Sequence, residues 1–312
     1  MEWYYILLIV ICALTIIFFL TMYICFRLAF YVNRKKSISN ELTFPKEGNY
    51  EPYKELIKKW MDDMEKMPYT PYSIKSFDGL KLCGKYYECG KGNVIEIMFH
   101  GYRGSAKRDL CGGIKRAFEI NHNVLIVDQR TSGLSEGNVI TFGVNEHKDC
   151  LMWIKKVIEE FGDDVKIILS GVSMGAATVI NAASKDIPKN VIGVLADCGY
   201  SSQRDIIKQT IKKMHLPPNI FYPILKLSAK VYGKFNLEEI IPVEAIKNIK
   251  VPVIIYHGDA DDYVPCEMAH ILYNAQKENN HLVIVPKAGH GIAYVVEPDL
   301  YIKEMKRFFY KS

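Results

Sequence analysis

Residues 165–184 read VKIILSGVSMGAATVINAAS, and their reading decides the fold. The first five positions are almost wholly apolar and do not alternate, the pattern of a strand buried on both faces of a parallel sheet. The last eleven are small and apolar in a run long enough for a helix. Between them stands Gly171-Val172-Ser173-Met174-Gly175, a G-x-S-x-G match in the strand, turn and helix context that the motif requires. Such a turn forces the serine into a strained backbone conformation, so its close neighbours must lack side chains, hence Gly171 and Gly175. The strain holds the Ser173 hydroxyl above the sheet, at the positive end of the following helix.

Outward from this stretch, short apolar runs alternate with amphipathic segments. Runs at 72–76 and 80–87, joined through the Asp78-Gly79 turn, are expected to form an antiparallel hairpin at the sheet edge. Further runs lie at 94–99, 124–127, 165–169, 191–196, 251–256 and 282–285. Helical candidates occupy 105–120, 145–161, 174–184 and 300–310. Alternation of this kind implies right-handed crossovers and an α/β sheet with helices on both faces. One connection is too long for a crossover. Residues 199–249 hold helical pieces at 204–214, 220–232 and 243–249, punctuated by Pro217, Pro218, Pro223 and Pro242. This excursion is a candidate lid. Ile220, Phe221, Tyr222, Ile224 and Leu225 either line an apolar pocket or simply pack on the sheet. No internal repeat is present.

A serine hydroxyl is a poor nucleophile until a neighbouring base takes its proton. The base belongs in a loop after a later strand, where Ala288-Gly289-His290-Gly291 stands. The glycines leave room for the imidazole to swing over the sheet edge. His257 and His281 compete but lie at strand boundaries, where a hydrogen-bonded structural histidine is the commoner outcome, so His290 is favoured by chain order and loop position. The third member must be an acid that fixes the histidine tautomer. The loop after 251–256 offers Asp259, Asp261 and Asp262 within His257-Gly258-Asp259-Ala260-Asp261-Asp262-Tyr263-Val264-Pro265, and spacing alone does not choose among them. A calcium loop fits poorly, since the sixth position lacks glycine and Tyr263 occupies a ligand position.

This loop resembles the H-G-x-x-D-x-x-V-P segment of esterases and prolyl-oligopeptidase-like members of the alpha/beta-hydrolase superfamily. The resemblance implies that Asp261 is the acid, with Asp259 and Asp262 shaping the loop or facing solvent. An oxyanion hole needs two backbone N–H groups aimed where negative charge develops. Met174, the residue after the nucleophile, should supply one. The other should come from His100-Gly101-Tyr102-Arg103-Gly104 after the 94–99 run, and the resemblance implies the amide of Tyr102. Asp128-Gln129-Arg130-Thr131-Ser132-Gly133-Leu134-Ser135-Glu136-Gly137 is similar to the D-x-R-G-x-G-x-S-x-G loop of these hydrolases, with Thr131 and Ser132 departing from it. Its Asp128 and Arg130 are read as holding neighbouring loops. The resemblance spans residues 72–310. The layout as a whole resembles membrane-anchored Bem46-like serine hydrolases, which implies an alpha/beta-hydrolase fold and an esterase-type mechanism.

Residues 6–26, ILLIVICALTIIFFLTMYICF, carry no charge. As a helix they span about 30 Å, the thickness of a bilayer core. Trp3, Tyr4 and Tyr5 precede the run and Phe30 and Tyr31 follow it, as at membrane interfaces. A cleaved signal peptide would need a basic start and a small-residue cleavage site, and a lipoprotein anchor small residues before its cysteine. Neither is present, and a single transmembrane anchor is expected. Arg27, Arg34, Lys35 and Lys36 follow the span with no Lys or Arg before it, which puts the rest of the chain in the cytoplasm. Residues 27–69 are expected to be a juxtamembrane linker with a packing helix near 53–66, and 70–312 the hydrolase domain.

Composition limits the alternatives. With 49% hydrophobic and 24% charged residues the chain suits a globular α/β protein. Its net charge of +5 is spread along the chain, unlike a nucleic-acid surface. The eight cysteines include no C-x-x-C pair and no zinc spacing, so reduced, buried thiols are expected, with no metal or cofactor. The expectation is therefore a membrane-anchored serine hydrolase acting on a carboxylic ester with an apolar, lipid-like acyl part. A serine peptidase and a non-catalytic tethered interaction protein are the rivals.

Overall fold

A computed structural model describes residues 3–33, 49–90 and 92–310. Arg34, Lys35, Lys36 and the remainder of 34–48, expected to belong to the juxtamembrane linker, lie outside the described residues. Eight strands form one sheet: β1 (Thr70–Lys75), β2 (Lys81–Tyr87), β3 (Val94–Phe99), β4 (Asn123–Val127), β5 (Lys166–Val172), β6 (Val191–Asp197), β7 (Val253–Gly258) and β8 (Asn280–Val285). Their order is β1-β2-β4-β3-β5-β6-β7-β8. The hairpin at the edge is antiparallel, β2 joins β4 antiparallel, and the rest of the sheet is parallel. Strands β3, β4 and β7 are buried at every position, as non-alternating apolar runs should be when helices cover both faces.

Helices α2 (Lys54–Lys66), α3 (Ala106–Glu119) and α10 (Pro298–Phe309) cover one face, while α4 (Glu146–Phe161), α5 (Met174–Ala183) and α9 (Glu267–Ala275) cover the other. The strand order carries a consequence for the site. From β3 the chain runs outward to β4, then returns across β3 to β5 and proceeds the opposite way to β6. The connections leaving β3 and β5 therefore diverge, opening a crevice at the carboxyl ends of these two neighbours.

The excursion holds α6 (Gln203–Lys213), α7 (Pro218–Val231) and α8 (Pro242–Ala245). Of the five residues considered for an apolar pocket, Tyr222 and Leu225 are buried in the main core, while Ile220 is 60% exposed. Helix α1 (Trp3–Ala29) outruns the apolar stretch at both ends. Its most apolar window has a mean hydropathy of 2.8, and it is the one described helix long and apolar enough to cross a membrane. Its large side chains stay exposed through Leu20, and then Met22, Phe26 and Phe30 turn into the domain. Phe30 packs edge-on against Phe142 and Phe235, Tyr31 bridges to Val139, and α1 lies along α7. No local pattern in the sequence marks this helix as ending inside the core.

Candidate active site

Ser173 sits at the turn from β5 to α5 with φ 57° and ψ −117°, a conformation that costs a non-glycine residue about 1–3 kcal/mol. The crowding around it explains both flanking glycines. A Cβ on Gly171 would lie 2.1 Å from the Gly175 carbonyl oxygen, and one on Gly175 would lie 2.0 Å from that of Phe99. The turn is also tied to the next strand, since the Ser173 amide donates to the Asp197 carbonyl at 2.8 Å.

His290 lies in the loop after β8, and its Nε2 is 2.9 Å from Ser173 Oγ. Gly258 makes room for that loop: a Cβ there would sit 2.0 Å from the Ala288 carbonyl oxygen. On the other side of the ring, His290 Nδ1 lies 2.7 Å from Asp261 Oδ2. A carboxylate only accepts, so the proton sits on Nδ1 and the Nε2 lone pair faces the serine hydroxyl. The second Asp261 oxygen accepts the amides of Tyr263 and Val264, each at 2.9 Å. Burial pushes the Asp261 carboxyl up, but hydrogen bonds from His257 and His290 outweigh it and hold the group well below the usual carboxylate range. It is ionised at neutral pH.

The competing groups have other employment. His257 is fully buried, with Nε2 2.8 Å from the Val264 carbonyl and 3.2 Å from Asp261 Oδ2, so it braces the acid loop. His281 pairs with Glu304 at 2.9 Å. Asp259 accepts the Lys287 amide at 2.6 Å, tying the acid loop to the histidine loop.

The loop after β3 approaches from the third side. A Cβ on Gly101 would lie 3.4 Å from Ser173 Cβ. The Gly101 amide donates to Asp109 Oδ2 at 3.0 Å, and the same carboxylate leaves no room for a side chain at Gly104. Among the described residues the amides of Tyr102 and Met174 donate to no backbone carbonyl in the turns, loops and caps outside the helices and strands. Nearby, Arg130 is clamped by Asp149 at 2.7 and 2.9 Å and by Asp78 at 3.0 Å, while Asp128 accepts the Leu134 amide at 3.0 Å. The 128–137 loop is thus a brace for its neighbours.

Five contacts at this site have no local sequence signature. The Tyr50 hydroxyl donates to the His290 carbonyl at 2.6 Å, pinning the histidine loop from a segment otherwise read as linker. The Tyr102 hydroxyl donates to the Ala29 carbonyl at 2.7 Å, and Arg103 donates to the carbonyls of Leu28 and Tyr31 at 2.8 and 3.1 Å. The loop beside Ser173 is therefore fastened to the end of α1. Lastly, Cys198 Sγ lies 4.0 Å from His290 Nε2. Ligand atoms of Cys198, Asp261 and His290 fall within 4.8 Å of one another, a set that could hold a metal ion. Burial pushes the Cys198 thiol well up, which disfavours the thiolate such an ion needs.

Comparison with known proteins agrees with this architecture. The sequence profile of the prolyl oligopeptidase family matches residues 140–312. The chain is similar to an uncharacterized protein, YqkD, of Bacillus subtilis, 24% identical over 79% of this chain and 81% of that protein. Uncharacterized protein YfhR of Escherichia coli K12 is 23% identical over 76% of this chain and 81% of its own length. Among solved structures, the esterase Pf2001 of Pyrococcus furiosus superposes with a TM-score of 0.65 at 23% identity, covering 80% of this chain and 93% of that one. Est1E of Butyrivibrio proteoclasticus, with ferulic acid bound, gives 0.58 at 19% identity over 78% and 98% of the two chains. The fold is that of the alpha/beta hydrolases.

Proposed function

The chain belongs to the prolyl oligopeptidase family, and on that premise we propose that it is a serine hydrolase cleaving carboxylic esters through Ser173, His290 and Asp261. The observation that carries the reading is the unbroken relay from Ser173 Oγ to His290 at 2.9 Å and from His290 to Asp261 at 2.7 Å. Ser173 Oγ attacks the acyl carbonyl carbon while His290 Nε2 takes the hydroxyl proton. Asp261 stabilises the imidazolium without itself becoming protonated. The amides of Tyr102 and Met174 donate to the oxyanion, each worth roughly 3–4 kcal/mol at the transition state. Collapse breaks the bond to the leaving alcohol, which receives the proton held by His290. Water, deprotonated by the same nitrogen, then attacks the acyl-enzyme and releases the acid and Ser173.

Helix α1 is read as a single-pass anchor and residues 70–312 as a hydrolase domain on the cytoplasmic side, supported by Arg27 after an uncharged span. An apolar acyl group suits an enzyme held at a membrane. Labelling by a fluorophosphonate probe, absent in Ser173→Ala, together with turnover of p-nitrophenyl esters tests the proposal. A folded protein that does neither refutes it. Family membership favours a second reading, a peptidase. Cleavage of aminoacyl-proline substrates with no turnover of esters would put that reading in its place.

A further inference from the structure

Beside Ser173, between the 100–105 loop and the end of α1, lies a cavity of about 300 Å³. Gly101 and Met174 line it where it meets the nucleophile, so a ligand there adjoins the reacting centre. Every ionised side chain in its lining is an arginine: Arg27, Arg103, Arg108 and Arg130. Arg108 is paired with Asp109, and Arg130 with Asp149 and Asp78. Arg27 and Arg103 are different. Arg103 donates to two carbonyls at the end of α1, and Arg27 lies 3.8 Å over the Tyr31 ring. Neither has a carboxylate within ion-pair distance among the described residues. Four guanidinium groups against three carboxylates leave a net positive wall.

The depth of this wall follows from the helix. At 1.5 Å per residue, twenty residues from Trp3 cover roughly 30 Å, a bilayer core, and end at Met22. Met22 is also the first residue of α1 to be buried by the domain. Arg27 lies five residues further on, roughly 7.5 Å, at the level of the lipid headgroups. Lipid phosphates lie at that level too, and a guanidinium offers them paired, charge-assisted donors.

We propose that this cavity receives the phosphate-bearing head of an ester drawn from the bilayer, with Arg27 and Arg103 as its contacts. The inference rests on the reading of Ser173 as the nucleophile and deepens it, adding an anionic headgroup to the substrate. The headgroup fixes the ester, and the carbonyl meets the hydroxyl a short distance away.

The test uses the full chain in nanodiscs of neutral lipid and two substrates with the same acyl chain, a monoacylglycerol and its glycerol-phosphate counterpart. The phosphate ester should be preferred about tenfold or more in kcat/KM. Arg27→Gln and Arg103→Gln should each cut that preference roughly fivefold. Each variant is compared with its own rate on the neutral ester, so a general loss of activity does not mimic the effect. A wild-type preference below twofold, or one that neither substitution alters, overturns the proposal. An equal preference for a monomeric, water-soluble glycerophosphate ester overturns its bilayer origin. If the wild type neither turns over an ester nor reacts with a fluorophosphonate, the hydrolase reading has failed instead. Binding of a non-cleavable ether analogue to Ser173→Ala protein then decides the cavity by itself. Weakening by Arg27→Gln supports it, and no binding sinks it.

Discussion

Replacing Asp261 with asparagine probes the proton logic of the site while leaving its shape nearly intact. One oxygen of the native carboxylate accepts the amides of Tyr263 and Val264, and the other faces His290 Nδ1 at 2.7 Å and His257 Nε2 at 3.2 Å. An asparagine can serve only one of these sides as an acceptor. With its oxygen turned to the histidines, two buried amides confront an NH2 group and lose their partner, at roughly 1–3 kcal/mol each. With its oxygen turned to the amides, only His257 loses a bond, and that ring keeps the Val264 carbonyl at 2.8 Å. The second orientation wins. Its NH2 group then donates to His290 Nδ1, which places the ring proton on Nε2, pointing at Ser173. No lone pair remains to accept the hydroxyl proton.

In the serine-protease template, the same tautomer error lowers kcat about ten-thousand-fold, equivalent to about 5 kcal/mol of barrier. We expect a fall of about a thousand-fold or more in ester turnover and in the second-order rate of fluorophosphonate labelling, measured side by side. Thermal unfolding checks that the variant is folded. The reasoning is wrong if Asp261→Asn reacts within tenfold of wild type, and more so if Asp259→Asn or Asp262→Asn proves the crippled variant.

Three further outcomes follow from the structure. Gly175→Ala should destabilise by several kcal/mol in chemical denaturation, because its Cβ would meet backbone oxygen at 2.0 Å and no flexible side chain is there to yield. An alanine variant with a wild-type midpoint would contradict this packing. Burial raises the Asp197 carboxyl to about 6 from an unfolded value of 3.8. The folded state therefore holds the proton more tightly, and this contribution is full below about pH 4 and lost as pH rises through 6, by about 3 kcal/mol. Asp197→Asn keeps an acceptor for the Tyr301 hydroxyl, and its stability should fall less than wild type between about pH 4 and pH 7 by that amount; parallel pH profiles would exclude it. Arg116→Met strands the buried Glu96, which Arg116 and His122 now satisfy, and should cost about 3–5 kcal/mol in denaturant midpoint analysis. Adding Glu96→Leu should recover most of the loss, and a double variant no more stable than the single one counts against the ion pair.

The strands were legible because burial on both faces leaves a continuous apolar run, and each of the eight runs read from the sequence falls on a strand. The order of the strands was not, since nothing local tells β4 to lie outside β3. Helix α9 was not legible either, although its nine residues lie in the connection from β7 to β8. Ser173 and His290 could be singled out from motif and loop position. Asp261 could not be separated from Asp259 and Asp262 by spacing, because loop geometry decides which oxygen turns toward the imidazole, and a family resemblance was needed. Tyr50, Ala29 and Leu28 escaped notice for one reason. They act through a hydroxyl or carbonyl placed by long-range folding, and an isolated tyrosine or a backbone oxygen leaves no pattern in a sequence.

The end of α1 bears on how the proposed anchor would act. A helix terminus leaves carbonyls without partners, and here those of Leu28, Ala29 and Tyr31 are taken by Arg103 and Tyr102. These two residues stand in the loop that faces Ser173. Beyond the helix, the Phe30 carbonyl accepts the Ile140 amide at 2.8 Å and the Phe30 ring is fully buried. A flexible tether would let the domain turn freely above the bilayer. On the proposed reading of α1 as an anchor, last turns made of core residues would fix the direction in which the crevice opens, and the helix end is tied to the loop that carries Tyr102. Access to Ser173 and the geometry of the proposed oxyanion site thus depend on the same few carbonyls.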